Sequence, residues 1–249
     1  MPPLFTLDKI KFATDPATFE RAVKIYESGG VVDFEDNGYS FSAKVRGSQG
    51  NFYEVAVTAK YYDRGHCDCY LGEREILCKH MVAVALYALL GGKPLSTEDK
   101  EVITSPKCSG RLGVLSKEEL SAVKKSITAA MRYIKPYNGP SKIWFAYQNS
   151  LSEGCNRLSA IISNLPVSQQ TAKLLVDLLL RLDKKLSMGG VDDSDGTVGS
   201  FIYETVNVLE EYAKLDSSCI KAFKKLCNQE IDFEWQESLI RMVDEQNTD

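Results

Sequence analysis

Within fourteen residues the chain sets out Cys67-Asp-Cys69, eight intervening residues, then Cys78-Lys-His80, and directly behind them the apolar run Met81 to Leu90. The 249 residues contain two histidines, His66 and His80, and both share the window 66–80 with three of the seven cysteines. A chance grouping of core thiols is the plain alternative, because free cysteine packs as a small hydrophobe. Count and spacing instead match a set of four metal donors. Three thiolates and one imidazole are the ligands of closed, tetrahedral structural zinc sites. We therefore expect one Zn²⁺ per chain, held by Cys67, Cys69, Cys78 and His80. A catalytic zinc keeps a position open for water and usually takes histidine or carboxylate ligands. Three thiolates leave the ion with net negative charge and little Lewis acidity. His66 can replace His80, can hydrogen-bond a ligand from behind, or can be an exposed turn residue, the reading we prefer.

Around this cluster the pattern is legible in order. Asp15-Pro16 opens a helix as N-cap and first helical residue, Phe19, Ala22, Val23 and Tyr26 repeat at helical spacing, and Gly29-Gly30 stop it. A meander follows. Asn37-Gly38 suits a type I′ hairpin turn, and Tyr39, Phe41, Ala43 and Val45 alternate with polar residues on the return strand. Tyr53, Val55, Val57 and Ala59 repeat the alternation on a third strand. Cys78 and His80 fall at the mouth of a helix that Gly91-Gly92 close, where the positive end of the helix favours thiolates. That helix is apolar on every side, so a sheet on one face leaves another face to be covered. Further on, Ser116-Lys-Glu-Glu119 is a capping box. Helical stripes then run through Trp144 to Ile162, Ala172 to Leu186, Phe201 to Leu215, Ser218 to Cys227 and Phe233 to Val243.

The expected fold class is α+β: an N-terminal helix and antiparallel β-meander with the C-x-C…C-x-H finger and its helix, then an all-α helical-hairpin bundle. The expected domains are residues 1–95, a linker and capped helix over 96–140, and a helical domain over 141–249. No fixed-period repeat points to a solenoid.

With 44% hydrophobic and 26% charged residues the chain reads as an ordinary globular protein. Its net charge of −4 argues against coating nucleic acid wholesale. Charge is uneven, however: residues 96–144 hold nine basic and five acidic side chains, and 145–249 hold ten and seventeen. An anion-binding surface is expected before residue 145. The odd cysteine count without a framework spacing suggests a reducing compartment. The first residues lack the charged start and apolar core of a signal peptide, and the ten-residue apolar run falls short of the ~20 residues of a membrane helix. A cytoplasmic, non-membrane protein is expected.

Cys67-x-Cys69, Cys78-x-His80 and the apolar helix behind them resemble the SWIM zinc finger, over roughly residues 50–92 and of the bacterial stand-alone type. The resemblance implies a zinc-stabilised module that binds DNA or protein. It implies no reaction, because the enzymatic domains of SWIM proteins are separate from the finger. The helical tail with Asp192-Asp193-Ser194-Asp195-Gly196 is similar, more weakly, to the C-terminal region of bacterial SWIM proteins. CDGSH-type iron–sulfur sites also use three cysteines and a histidine, but space the last two ligands four apart rather than two.

Other chemistry finds little material. Asp192 to Gly196 hints at a calcium loop, but the register placing Gly196 sixth puts Val191 and Ile202 at ligand positions. A helix-capping turn in which Ser194 or Asp195 accepts backbone amides fits better. There is no G-x-x-x-x-G-K-[ST], H-E-x-x-H or G-x-G-x-x-G motif, and both histidines fall at the metal cluster. We expect a non-enzyme with no small-molecule substrate. Lys44, Arg46 and Lys60 on the sheet, with Arg64, Arg74 and Lys79 near the metal, form a candidate nucleic-acid surface. Tyr61, Tyr62 and Tyr70 are available there for stacking. Two function classes follow: a zinc-binding accessory protein whose finger binds DNA, or a protein-interaction adaptor docking onto a separately encoded partner such as a helicase-like ATPase.

Overall fold

Helix and sheet are mixed in an α+β arrangement in the computed structural model, which describes residues 2–141, 144–229 and 234–248. The chain divides into two units, Met1–Val102 and Ile103–Asp249.

In the first unit, α1 (Leu7–Ala13) and α2 (Pro16–Glu27) precede a four-stranded antiparallel sheet of β1 (Val31–Asp36), β2 (Ser40–Arg46), β3 (Phe52–Thr58) and β4 (Gly65–Cys67) in simple order. Asp15 caps α2 by accepting the Thr18 amide at 2.9 Å, with Pro16 at the first helical position. Phe41, Ala43, Val45, Val55 and Val57 face the core, as their alternation requires. Tyr39 does not: it lies at the hairpin tip and is 86% exposed. The turn also differs from type I′, which needs two positive φ angles. Only Gly38 has one, at 80°, while the Asn37 amide bonds the Ser40 carbonyl at 2.9 Å. Glycine at the first central position is the type II′ pattern. In β1, Asp33 takes a φ of 50° where the register shifts between Val32 and Glu35, a bulge at the sheet edge.

The helix behind the cysteines, α3 (Lys79–Leu90), ends as its glycines predict, with Gly91 at φ 57° and its amide on the Tyr87 carbonyl. Residues Met81 to Leu86 are at most 3% exposed. The sheet covers one side of α3; α1 and α2 cover the rest. Tyr87 packs between Phe34, centroids 4.8 Å apart, and Tyr26, 6.2 Å apart. Each fully buried valine or leucine here stabilises the unit by about 1.5–3 kcal/mol, so α3 is the centre of its core. A short helix, α4 (Thr97–Lys100), follows.

The second unit is helical: α5 (Lys117–Ala130), α6 (Trp144–Ser163), α7 (Gln169–Ser187), α8 (Thr197–Leu215), α9 (Ile220–Phe223) and α10 (Glu237–Thr248). The capping box of α5 is closed in both directions, Glu119 amide to Ser116 Oγ at 3.1 Å and Ser116 amide to Glu119 Oε2 at 2.7 Å. Packing of α5 on α6, of α6 and α7 on α8, and of α9 and α10 on their neighbours buries Leu151, Leu158, Ile162, Leu175, Leu179, Leu182, Phe201 and Leu209. The expected helix over 218–227 is broken into α9 flanked by 3₁₀ turns at Ser217–Cys219 and Leu226–Asn228. Phe233, expected to begin the last helix, lies outside the described residues.

Candidate metal centre

Three short pieces of backbone bring the cluster together. β4, absent from the sequence reading, pairs with β3 so that Cys67 lies opposite Val55 and His66 opposite Ala56. Neighbouring strand residues point to opposite faces. Cys67 is buried and His66 is exposed on the other face, so His66 is not among the grouped donors. After β4 the chain folds into a tight turn closed by a 3₁₀ segment, Gly72–Arg74. There the Cys69 carbonyl accepts the Glu73 amide at 3.0 Å and the Cys69 sulfur accepts the Gly72 amide at 3.4 Å. Glycine is required at 72: a Cβ would overlap the Cys67 carbonyl oxygen and fall 2.6 Å from the Cys67 Cβ. Glu75 ends the segment in the left-handed region, φ 58°. The third piece is the start of α3, where Cys78 is the N-cap residue and His80 lies in the first turn.

The ligand atoms of Cys67, Cys69, Cys78 and His80 all lie within 4.8 Å of one another, and all four residues are buried. His80 Nδ1 faces the sulfurs, 3.7 Å from Cys67 Sγ and 3.9 Å from Cys78 Sγ. Its Nε2 is buried with no hydrogen-bond partner. Tyr53 covers the imidazole, ring centroids 4.6 Å apart. None of the three cysteines is in a disulfide. The hydrogen bond from Cys67 holds the Cys78 thiol's pKa well below the usual thiol value, helped by His80 and the Met81 amide at the start of α3. Cys67, the donor in that pair, is pushed up correspondingly, with burial adding to the rise. Such a group can hold a metal ion, because one ligand is already poised as thiolate and the remaining soft donors converge on it.

The six candidate cations have different local partners. Lys44 is tied to Asp33 at 3.1 Å and lies opposite Glu54, which also raises its pKa. Lys60 and Arg64 both lie over the Tyr61 ring, at 5.1 and 4.7 Å. Arg74 covers Tyr70 at 3.7 Å. Arg46 lies over Phe52 at 5.8 Å and shares a shallow cleft with Lys79. Tyr62, expected to be free for stacking, is buried and bonds Thr14 through its hydroxyl at 2.9 Å. Four residues carry no motif that would single them out: Tyr53, Gly72, and the α2 cations Arg21 and Lys24 that line the cleft with Arg46 and Lys79. Strand register and the turn bring in Tyr53 and Gly72 once β4 is placed, whereas Arg21 and Lys24 are placed by the packing of α2 against α3.

The Asp192–Gly196 loop caps α8. Asp193 accepts the Val198 and Gly199 amides at 2.7 and 2.8 Å, and Asp195 accepts that of Thr197 at 3.2 Å. The Ser194 hydroxyl bonds Asp192 rather than a helix amide, so Asp193 takes the role expected of Ser194. Asp192 is also held by the Trp144 indole at 3.0 Å.

No helix among the described residues is long and apolar enough to cross a membrane. Comparison of the chain with protein-family models, with curated proteins and with solved structures gives no match.

Proposed function

We propose that Cys67, Cys69, Cys78 and His80 hold one structural zinc ion in a SWIM-type finger, and that this unit serves as a non-catalytic accessory module binding DNA. Zinc suits the donors by chemistry and by size. With Zn–S of ~2.3 Å and Zn–N of ~2.05 Å, a tetrahedron has S···N edges of ~3.6 Å. The two S···N separations here are 3.7 and 3.9 Å. When bound, the ion cross-links β4, the Gly72 turn and the start of α3. In small peptide sites such a link contributes on the order of 10–16 kcal/mol. Four buried N/S donors suit a closed site rather than one that keeps a place for a reacting water.

The DNA reading is carried by one observation: around the cluster, exposed aromatic rings are matched with cations. Phe52 with Arg46, Tyr61 with Lys60 and Arg64, and Tyr70 with Arg74 pair a stacking face with a phosphate-seeking charge. Single-stranded nucleic acid is gripped by this combination, bases on rings and backbone on cations. The SWIM resemblance, carried by the ligand spacing, points the same way.

The test is fluorescence anisotropy of labelled single-stranded and duplex oligonucleotides between 50 and 200 mM salt. Binding should weaken linearly in log–log form, by a slope of about −0.7 to −0.9 per phosphate neutralised. It should fail when Lys60 and Arg64 are both changed to glutamate. Absent or salt-insensitive binding, with a protein partner captured from nuclease-treated extract, overturns this reading in favour of the adaptor.

A further inference from the structure

A second feature of the first unit is a shallow cleft of about 290 Å³ between α2 and the end of β2, lined by Arg21, Lys24, Ser28, Arg46, Ser48 and Lys79. Four cations converge there, and no carboxylate is among the lining residues. In a chain whose net charge is −4, positive charge gathered in a concavity favours an anion there. Among the described residues Arg21, Arg46 and Lys79 have no ion-pair partner. Lys24 pairs with Glu20 at 2.7 Å, but both side chains are about 70% exposed, and such pairs are weak and readily exchanged. Arg21 spends its Nε on the Ala17 carbonyl and one Nη2 contact on Thr18, leaving the rest of its donor fork uncommitted.

Gly30 and Gly47 are also among the lining residues, and their amides already bond the Ile25 and Asn51 carbonyls. Recognition therefore falls to the side chains: two guanidinium forks, two ammonium groups and the Ser48 hydroxyl, since the Ser28 hydroxyl already donates to the Ile25 carbonyl at 3.0 Å. That set matches a tetrahedral oxyanion presenting several acceptors, which is the chemistry of phosphate. Phe52, 46% exposed and beneath Arg46, adds an apolar ring beside the cleft. A free phosphate has no use for such a ring; a nucleotide has.

We propose that this cleft is a phosphate site that seats the sugar–phosphate backbone of a nucleic acid, with Phe52 taking an adjacent base. The proposal rests on the DNA reading above and adds to it the α2 face, which no linear motif indicates. It also links the cleft to the cluster. Lys79 stands between the ligands Cys78 and His80, and Gly47 lies against Tyr53, the ring that covers His80. Ordering the cluster therefore fixes one wall of the cleft.

Two arms test it on the full chain. In the first, pyrophosphate is titrated while backbone amide resonances are followed by NMR; Gly30, Gly47 and Ser48 should shift in the wild type and not in R21Q/K24Q. In the second, oligonucleotide affinity is measured against salt for the wild type, R21Q/K24Q, R21E/K24E and K93E, a charge reversal away from the cleft. The two α2 variants should lose about tenfold or more in affinity at 50 mM salt, and their salt slope should fall by about 2. K93E should change neither by as much. Circular dichroism and metal content of each variant are recorded alongside, so a folding defect is told from a binding defect. Oligonucleotide binding that is unchanged in R21Q/K24Q and R21E/K24E overturns the cleft proposal and leaves the DNA reading standing. Pyrophosphate shifts without any oligonucleotide binding overturn the nucleic-acid assignment of the cleft together with that reading. Silence in both arms overturns both.

Discussion

Tyr53 leans over His80, ring centroids 4.6 Å apart and planes 34° from parallel, and so covers a face of the imidazole while its Nδ1 meets the sulfurs. The histidine Nε2 is buried without a partner, so the imidazole is held by the Tyr53 ring and by the contacts of its Nδ1 with the Cys67 and Cys78 sulfurs. Tyr53→Ala should lower the unfolding free energy of the metal-loaded protein by about 1–2 kcal/mol. It should also speed transfer of the metal to a chromophoric chelator. Tyr53→Phe, which keeps the ring, should stay within about 0.5 kcal/mol of wild type. Stopped-flow chelation with thermal unfolding checks both.

Gly72 is the position where the turn passes closest to Cys67. Gly72→Ala forces a Cβ against the Cys67 carbonyl and Cβ. The turn or β4 must shift, at a cost on the order of 3 kcal/mol. Gly50, with φ 82° and nothing near its would-be Cβ, provides the contrast: Gly50→Ala should cost only about 1–2 kcal/mol, the left-handed penalty alone. Denaturant melts of the two variants distinguish steric from conformational cost, and only Gly72→Ala should also weaken metal retention.

Acid should release the metal. The Cys78 thiol is held low by the Cys67 hydrogen bond. A thiol depressed in the folded state stabilises the fold above its unfolded pKa, about 8.5, and that contribution is lost as pH falls through the folded value. Protons also compete directly with metal for thiolates. On lowering pH from 8, metal release should therefore accompany loss of structure in the unit holding the cluster. Chelator-detected release and circular dichroism should share one midpoint below neutrality. Cys78→Ser, which should not retain the ion, should show no metal release over the same range.

The α8 cap gives a prediction in the second unit. Asp193 accepts two helix amides, one on each carboxylate oxygen. Asp193→Ala should cost about 1–2 kcal/mol, and Asp193→Asn less, since its amide oxygen keeps one of the two bonds. Burial raises the Asp193 pKa, which is an ionisation penalty. That contribution to stability is present at low pH and lost as pH rises through the folded value. The stability gap between the wild type and the Asp193→Asn variant should therefore narrow toward neutral pH in urea melts.

How much of this was legible beforehand depended on the element. The four candidate metal donors stood out because their residue types are rare in this chain and their side chains have few other uses together. The start of α2 and the end of α3 were readable because Asp15-Pro16 and Gly91 carry their own local signals. β4 was not, since three residues with a single buried side chain give no alternation to read. Nor was α1, whose seven residues are too few to build a periodic stripe. The hairpin turn was misassigned because Asn-Gly fits type I′ locally while Tyr39 at the tip allowed glycine to take the first central position instead. Lys44 could be placed on the polar face, but its Asp33 partner comes from a bulge that sequence does not announce. The cleft was beyond reach for a similar reason: Arg21 and Lys79 are brought together by the packing of α2 against α3, not by any spacing along the chain.

The central claim is a single structural zinc on Cys67, Cys69, Cys78 and His80. Elemental analysis coupled to native mass spectrometry of the purified chain tests it most directly, with Cys78→Ser and His66→Ala measured alongside. One zinc per chain is expected in the wild type and in His66→Ala, with loss of the ion in Cys78→Ser. Iron in place of zinc, or well under one zinc per chain with Cys78 intact, contradicts it.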